Sequence, residues 1–469
     1  MPKSTIAAID LGATSGRVIV GQVGDRGLEL TEAYRFPNYF TSLPPYQYWD
    51  PGRLFSEVRK GLAEARTLFP ELRTCGIDTW GVDHAILNRE GRLAFPVHAY
   101  RDRRTESLMQ AIREKGDERR LFDVTGLPLV NYNTGLQLME TLRAFPGLRE
   151  TGERVMLFPE YFGYLLTGKA QSEFSHASTT QLLDIHGRDY TDEAMEYFGI
   201  PREWFAAPAA AGHILGPVTT SPELKGIDLA LVPGHDTSCA FEAIPRDGHS
   251  LLVSSGTWML VGGLTDQPLL GEEAFALGVS NERSGTGGYR PNKIIVGLWL
   301  LEQVIPSFDK RPQTDAEWEA LIAAAEERPV PQCLLDTGDS ALFNPRDMKQ
   351  VIDDQVRANG GSPPEDLPGY VALICASLGA SLRDTDQRLG KILGKDFDNL
   401  VIVGGGSKNR LLCQRMADFT GKNVTSYQLE ATSVGNMAYQ LLAREVLPSL
   451  EAFHDLIRPS LSAKKYQPH

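Results

Sequence analysis

With 469 residues, 42% of them hydrophobic, the chain can bury more than one core, and length alone allows ~2 to 4 domains. Its formal net charge is -13 and its basic residues are scattered, which argues against nucleic acid or an anionic membrane as the main partner and leaves a small-molecule substrate open. No run of ~18 apolar residues occurs, and Met1-Pro-Lys-Ser4 leads into a strand-like segment without a charged and then apolar leader, so a cytoplasmic protein is expected.

The first informative stretch is an apolar run from Ser4 to Ile9 ending at Asp10, then Leu11-Gly12-Ala13-Thr14-Ser15-Gly16-Arg17, then Val18-Ile19-Val20. This predicts a strand, a tight amide-rich tip and a returning strand; successive backbone N–H groups in such a tip form a concavity for anions. Asp10 at the strand end can hold Mg²⁺ through water, since that ion keeps several waters and takes one or two carboxylates. Arg17 can meet a phosphate oxygen or serve as a solvated strand residue. Helical periodicity covers Leu54 to Leu68, and Thr74 to Asp78 is again strand-like. Thr79-Trp80-Gly81-Val82-Asp83-His84 follows, where polar groups interleaved with an aromatic suit a sugar pocket, although Trp80 alone is more readily a core residue. A strand is predicted for Ala85 to Leu87, Arg101 to Arg104 has the composition of a solvated helix start, and helices are predicted over Thr105–Ile112 and Phe158–Leu166.

Near mid-chain, Gly234-His235-Asp236-Thr237 places an acid after a glycine turn, where a capping role is locally commoner than a catalytic one. Leu251 to Val253, Ser254-Ser255-Gly256-Thr257 and Trp258 to Val261 then repeat the hairpin design of the first residues. Further on, Thr314 caps a helix over Asp315–Glu327, and Tyr370 to Leu393 predicts a long, largely buried helix. Leu400 to Val403, three glycines at 404–406 and a helix over Leu411–Thr420 form a strand, a turn that a nucleotide can approach closely, and a helix start. This is not G-x-G-x-x-G, and Gly390 to Asp396 only resembles a phosphate-binding P-loop, because Asp396 follows Gly394-Lys395. The five cysteines, Cys75, Cys239, Cys333, Cys375 and Cys413, lack any C-x-x-C pair and are expected to be reduced and mostly buried. Strands and helices alternate in both halves, predicting α/β layers.

Three glycine-bearing turns in this order, with Asp236 before the second, resemble the FGGY carbohydrate kinases of the actin-like ATPase superfamily along essentially the whole chain. The resemblance implies two actin-like ATPase (ribonuclease H-like) domains with a cleft and hinge between them: 1–244, mainly sugar-binding, and 245–469, mainly ATP-binding. It implies ATP and Mg²⁺, with Asp10 at the metal and Asp236 as catalytic base. Trp80, Gly81, Asp83, Arg101, His235 and Thr237 would contact the sugar. Ala13, Thr14, Ser15, Gly16 and Arg17 would contact ATP from the first tip, and Gly256, Thr257, Glu302, Gly404, Gly405 and Asn409 from the second half.

Ile77–Asp83, Ala99–Asp102, Asn133-Thr134, Gly297–Leu301 and Phe343-Asn344-Pro345 extend the resemblance to the branch acting on L-rhamnulose at its C1 hydroxyl. L-Fuculose, L-ribulose and D-xylulose are the alternative acceptors. Ile294 and Glu302 depart from that branch, which has Asn and Gln there, and Glu160 stands where the family usually has Asp. The expected partners are a ketose and ATP, in a monomer or small homo-oligomer. A non-enzymatic nucleotide switch of the same fold would account for the phosphate tips but not for Trp80–Asp83 and His235–Thr237. A nicotinamide oxidoreductase built on Gly404–Gly406 lacks the fingerprint spacing.

Overall fold

The computed structural model describes residues 4–24, 27–245, 248–308, 311–343 and 345–469. The first three residues, Arg246 and Asp247 beside the expected hinge, and Asn344 lie outside the described residues. Two sheets carry the fold. The first contains β1 (Ser4–Leu11), β2 (Ser15–Gly24), β3 (Gly27–Pro37), β4 (Thr74–Thr79), β5 (His213–Pro217) and β6 (Asp228–Leu231), in the order β3-β2-β1-β4-β6-β5. The second contains β7 (Ser250–Ser255), β8 (Trp258–Gly262), β9 (Val279–Arg283), β10 (Tyr289–Val296), β11 (Asn399–Val403), β12 (Asn423–Tyr427) and β13 (Ala463–Tyr466). Its order is β9-β10-β8-β7-β11-β12-β13.

The two sheets repeat one motif. In each, a central strand pairs antiparallel with the strand following its glycine-bearing tip and parallel with the strand on its other side: β1 with β2 and β4, β7 with β8 and β11. The repeated hairpin expected from sequence is therefore present in both halves.

Side chains on a strand alternate between faces, and the core follows that period. Ala7, Ile9 and Leu11 pack outward against Leu54, Val58, Leu62 and Ala65 of helix α1 (Pro51–Leu68). Ile6 and Ala8 pack on the opposite face, toward the second sheet. There they share one core with Leu252, Val401 and Val403, while Leu251, Val253, Leu400 and Ile402 face the other way. Burial on both faces explains why these strands are continuously apolar.

Two helices fill the space between the sheets: α2 (Asp236–Glu242) and, from near the end of the chain, α4 (Ala431–Ala443). The long helix α3 (Leu367–Leu393) covers the outer face of the second sheet, and its last turn and C-cap, Gly394, fall within the stretch that resembles a P-loop. Helix α4 is fastened to the first sheet by polar bonds. Gln440 donates to the Ala7 carbonyl at 2.8 Å, Asn436 to Asp78 at 2.6 Å and Arg444 to Asp228 at 2.7 Å. Where α4 crosses α2, a Cβ on Gly435 would stand 1.9 Å from the Cys239 carbonyl oxygen.

The predicted helices are all present. Thr314 forms a capping box with Glu317. Cys75, Cys239, Cys375 and Cys413 are buried thiols and Cys333 is half-buried, with none in a disulfide. The reading of Arg101–Arg104 as a solvated helix start is corrected. Arg101 and Asp102 are buried, and Arg104, its side chain 3% exposed, pairs with Glu140 at 3.0 Å. Sequence composition cannot distinguish a solvated charge run from one satisfied by partners dozens of residues away.

Gly435→Ala is expected to destabilise the protein by about 1–3 kcal/mol or more, because the clash is with backbone rather than a movable side chain. A melting temperature equal to that of the parent would contradict so close a crossing of α2 and α4.

Candidate active site

The central strands of both sheets end at one place. Asp10 at the end of β1, Trp80 after β4, Ser254 and Ser255 at the end of β7, and Gly404 after β11 all line a single cavity of about 400 Å³. Ligands of α/β sheets bind at the carboxyl ends of strands, and here two sheets contribute such ends to the same space.

The first tip lines this cavity with Ala13, Thr14 and Ser15, and is closed by Gly12 N–H donating to the Ser15 carbonyl at 3.0 Å. Gly16 lies behind it, where a Cβ would meet the Phe36 ring at 2.2 Å. The second tip contributes Gly256 and Thr257. It is strapped from behind: Leu298 N–H donates to the Gly256 carbonyl at 2.9 Å, and Gly297 N–H to Thr257 at 3.1 Å. Gly404 and Gly405 complete this side. Gly404 has φ +83°, and a Cβ there would stand 2.7 Å from the Ser255 carbonyl, so the turn after β11 can reach the second tip only as glycine.

Charge is concentrated at the floor. Asp10 and Asp78 are register partners on β1 and β4, and Asp236 begins α2. Arg17 holds Asp10 through two donors, at 2.9 and 2.6 Å, and reaches Glu430 at 2.9 Å with a third nitrogen. Asp78 accepts from Asn436, and its Oδ1 is buried without a hydrogen-bond partner. Burial, reinforced by the charge of Asp10, raises its pKa well above the carboxylate range. Burial also raises Asp236; His235 opposes the rise and Asp10 adds to it. Asp236 Oδ1 accepts from Thr237 N–H at 2.5 Å and from its hydroxyl at 3.1 Å, with His235 Nε2 at 3.5 Å.

Trp80, Gly81, Val82, Thr179, His235 and Thr237 line the opposite wall. Val82 has φ +69°, a strained state for a β-branched residue. It is held there from both sides: its N–H donates to Thr179 at 3.1 Å and its carbonyl accepts from Thr134 at 2.6 Å. Asp83 does not reach the wall. Fully buried behind it, Asp83 accepts from Trp49 Nε1 at 2.5 Å and Trp80 Nε1 at 2.8 Å, and burial raises its pKa to about 6. Arg101 is also set back, its guanidinium 4.1 Å from the Trp299 ring and 5.6 Å from that of Trp258, a cavity residue.

Two further residues singled out from sequence stand away from the cavity. Glu302 pairs with Arg311 at 2.6 Å near the surface, and Asn409 caps the helix Arg410–Thr420 by accepting from Leu412 N–H at 3.1 Å. Ile294, the departure noted in the sequence, does line the cavity. Sequence reasoning did not assign Asp78, Thr179 or Glu282. Asp78 ends an apolar strand as Asp10 does, a parallel that would have flagged it.

Behind His235 a second buried group positions the turn. Glu173 accepts from the N–H groups of Gly234 and Ser175, each at 2.8 Å, and burial raises its pKa to about 7. Glu173, Glu160 and His176 line a second, small cavity, and burial raises Glu160 to about 8.

Comparisons with known proteins bear on the family of the chain. The model of the FGGY family of carbohydrate kinases, N-terminal domain, matches residues 5–237, and that of the C-terminal domain matches residues 251–444. The chain is 32% identical over 466 residues to a rhamnulokinase of Klebsiella pneumoniae (strain 342), covering 98% of this chain and 94% of that protein. Among solved structures it is similar to a gluconate kinase from Lactobacillus acidophilus, with TM-score 0.80, 14% identity and coverage of 100% and 94%. A ligand-bound xylulose kinase from the same organism gives TM-score 0.79 at 15% identity, covering 99% and 94%.

Glu160 sets a pH dependence of stability. Its folded pKa, about 8, lies above the ordinary 4.5, so its stabilising contribution is full below about 4.5 and is lost as pH rises through that window to about 8. Glu160→Gln removes this loss, and the melting temperature of the variant relative to the parent is expected to climb from pH 4.5 to pH 8. A constant offset would contradict a buried, neutral Glu160.

Proposed function

This chain belongs to the FGGY family of carbohydrate kinases, and from that premise we propose that it transfers the γ-phosphoryl group of ATP to a ketose, with L-rhamnulose, at its C1 hydroxyl, the preferred acceptor. The observation that carries this choice is the wall beside Asp236. Leu127, Val130, Tyr132 and Trp258 add apolar surface to a cavity that Thr179, His235 and Asp236 line with polar groups, a combination suited to a sugar that carries a methyl group as well as hydroxyls. The similarity to a rhamnulokinase over nearly the whole chain supports the same reading.

In this reading Asp236 orients the acceptor hydroxyl and takes its proton late in transfer. Thr237 occupies Oδ1, which leaves Oδ2 as the accepting atom. The amide-rich tips at Ala13–Ser15 and Gly256–Thr257 hold the phosphates from opposite sheets, and Gly404 and Gly405 let the nucleotide approach the backbone. Among the described residues no three His, Cys, Asp or Glu side chains form a site that would hold a metal unaided. The acids fit an ion that arrives on the nucleotide: Asp10 lines the cavity, with the buried, partly unsatisfied Asp78 behind it. Mg²⁺, when bound, would neutralise charge on the phosphate oxygens, with Asp10 holding it or its waters.

We place the domain boundary at residues 244/245, with sugar mainly on 1–244 and ATP mainly on 245–469. Closure about this hinge excludes water, the competing acceptor. The protein would act in the cytoplasm as a monomer or small homo-oligomer.

ADP release should therefore be low with Mg-ATP alone and rise with ketose, with kcat/KM highest for L-rhamnulose among L-fuculose, L-ribulose, D-xylulose, D-fructose and glycerol. A different preferred sugar would retain the kinase and replace the acceptor. Asp236→Asn should bind ATP as the parent does and lose at least ~10²-fold in kcat; near-normal turnover would remove Asp236 as the base.

A further inference from the structure

His235 is linked through its far side to a buried ion pair. Its Nδ1 lies 3.0 Å from Glu282 Oε2 and its Nε2 lies 3.5 Å from Asp236. Glu282 on β9 and Arg290 on β10 are cross-strand partners joined by a salt bridge, and Ser280 donates to the other Glu282 oxygen at 3.1 Å. Arg290 is completely buried, with its guanidinium 5.4 Å from the Phe241 ring of α2. Burial works against ionisation of Glu282, but Arg290 and then His235 hold its pKa down at about 2.

A carboxylate can only accept hydrogen bonds, so an imidazole nitrogen within bonding distance of one must carry the proton; Nδ1, 3.0 Å from Glu282, is within it, whereas Nε2, 3.5 Å from Asp236, lies beyond it. Arg290 Nη2 also lies 3.1 Å from Nδ1 and carries two N–H groups, one of them donated to Glu282; the nearer contact of Nδ1, Glu282 at 3.0 Å, gives Nδ1 the donor role. In the neutral ring the lone pair is then on Nε2, on the side of Asp236 and of Gly81, where a Cβ would stand 3.3 Å from that nitrogen. Resting on the kinase reading above, we propose that Glu282, fixed by Arg290, is a positioning residue that locks the Nδ1–H tautomer of His235. Nε2 thereby becomes an acceptor for a hydroxyl of the sugar beside the one that reacts at Asp236. Such a site selects a hydroxyl donor at that position over a carbonyl oxygen or a methyl group.

The test is the nitrogen NMR spectrum of ¹⁵N-histidine-labelled full-length protein, with the His235 signal assigned by its loss in His235→Asn, together with steady-state kinetics of Glu282→Gln. The parent should show Nδ1 protonated and Nε2 unprotonated. Glu282→Gln, of nearly the same shape, should shift His235 toward Nε2–H and raise the ketose KM by roughly tenfold or more, with the KM for ATP unchanged. Ser280→Ala, which removes a single donor to Glu282, should move the same quantities less. Nε2–H in the parent would overturn the proposal whether or not the variant folds, as would a Glu282→Gln enzyme with unchanged ketose KM. If no sugar stimulates ADP release by the parent, the kinase reading fails instead, while the tautomer remains measurable.

Discussion

Asp10, Asp78 and Asp236 converge at the floor of the cleft, and Arg17 is the cation that pairs directly with one of them. Like charges brought together out of water oppose one another, and the cost falls on the group with least solvent, Asp78. The surrounding architecture manages this repulsion. Arg17 bridges Asp10 to Glu430 just before α4, Asn436 of α4 donates to Asp78, and Thr237 and His235 attend Asp236. A cation carried into this space would meet carboxylates that gain from it. The excess negative charge that burdens the folded chain is thus available to binding.

The opposite wall depends on conformational constraint rather than charge. Val82 keeps a left-handed backbone because Thr134 and Thr179, from separate segments, bond its carbonyl and its N–H. The same segment ends at Asp83, whose carboxylate gathers the indole N–H groups of Trp49 and Trp80. Replacing the strained residue with a relaxed one would let Gly81 drift from His235 and Thr179, its neighbours in the same wall.

The sequence made the local pieces of this site legible because each is written in a few consecutive residues. Both hairpin tips, the glycines after β11 and the acid at the start of α2 have signatures of that kind, and the structure brings them to one cavity. What escaped detection depends on pairing across the chain. Asp83 and Arg101 belong to stretches that the sequence offers as a sugar site yet stand behind the wall, since a motif identifies residues that build a pocket without separating those that line it from those that brace it. Glu302 and Asn409 are spent on a surface ion pair and a helix cap. Glu282 and Arg290 lay in a segment with no local signature; the register of β9 with β10 pairs them, and the fold brings both to His235, far away in sequence.

Helix α4 gives the first sheet its inner cover, and its residues are among the last in the chain. The bond from Gln440 to Ala7 spans a sequence separation of 433 residues. During synthesis, then, the opening half emerges with Ile6, Ala8 and Ile19 still lacking much of their apolar partner, and it must wait for nearly the whole polypeptide before that face is sealed. A chain truncated after the first sheet would keep its hairpin tip and its acids but present an uncovered, aggregation-prone surface. The two halves of this protein are therefore separable in the description of their sheets and inseparable in biogenesis.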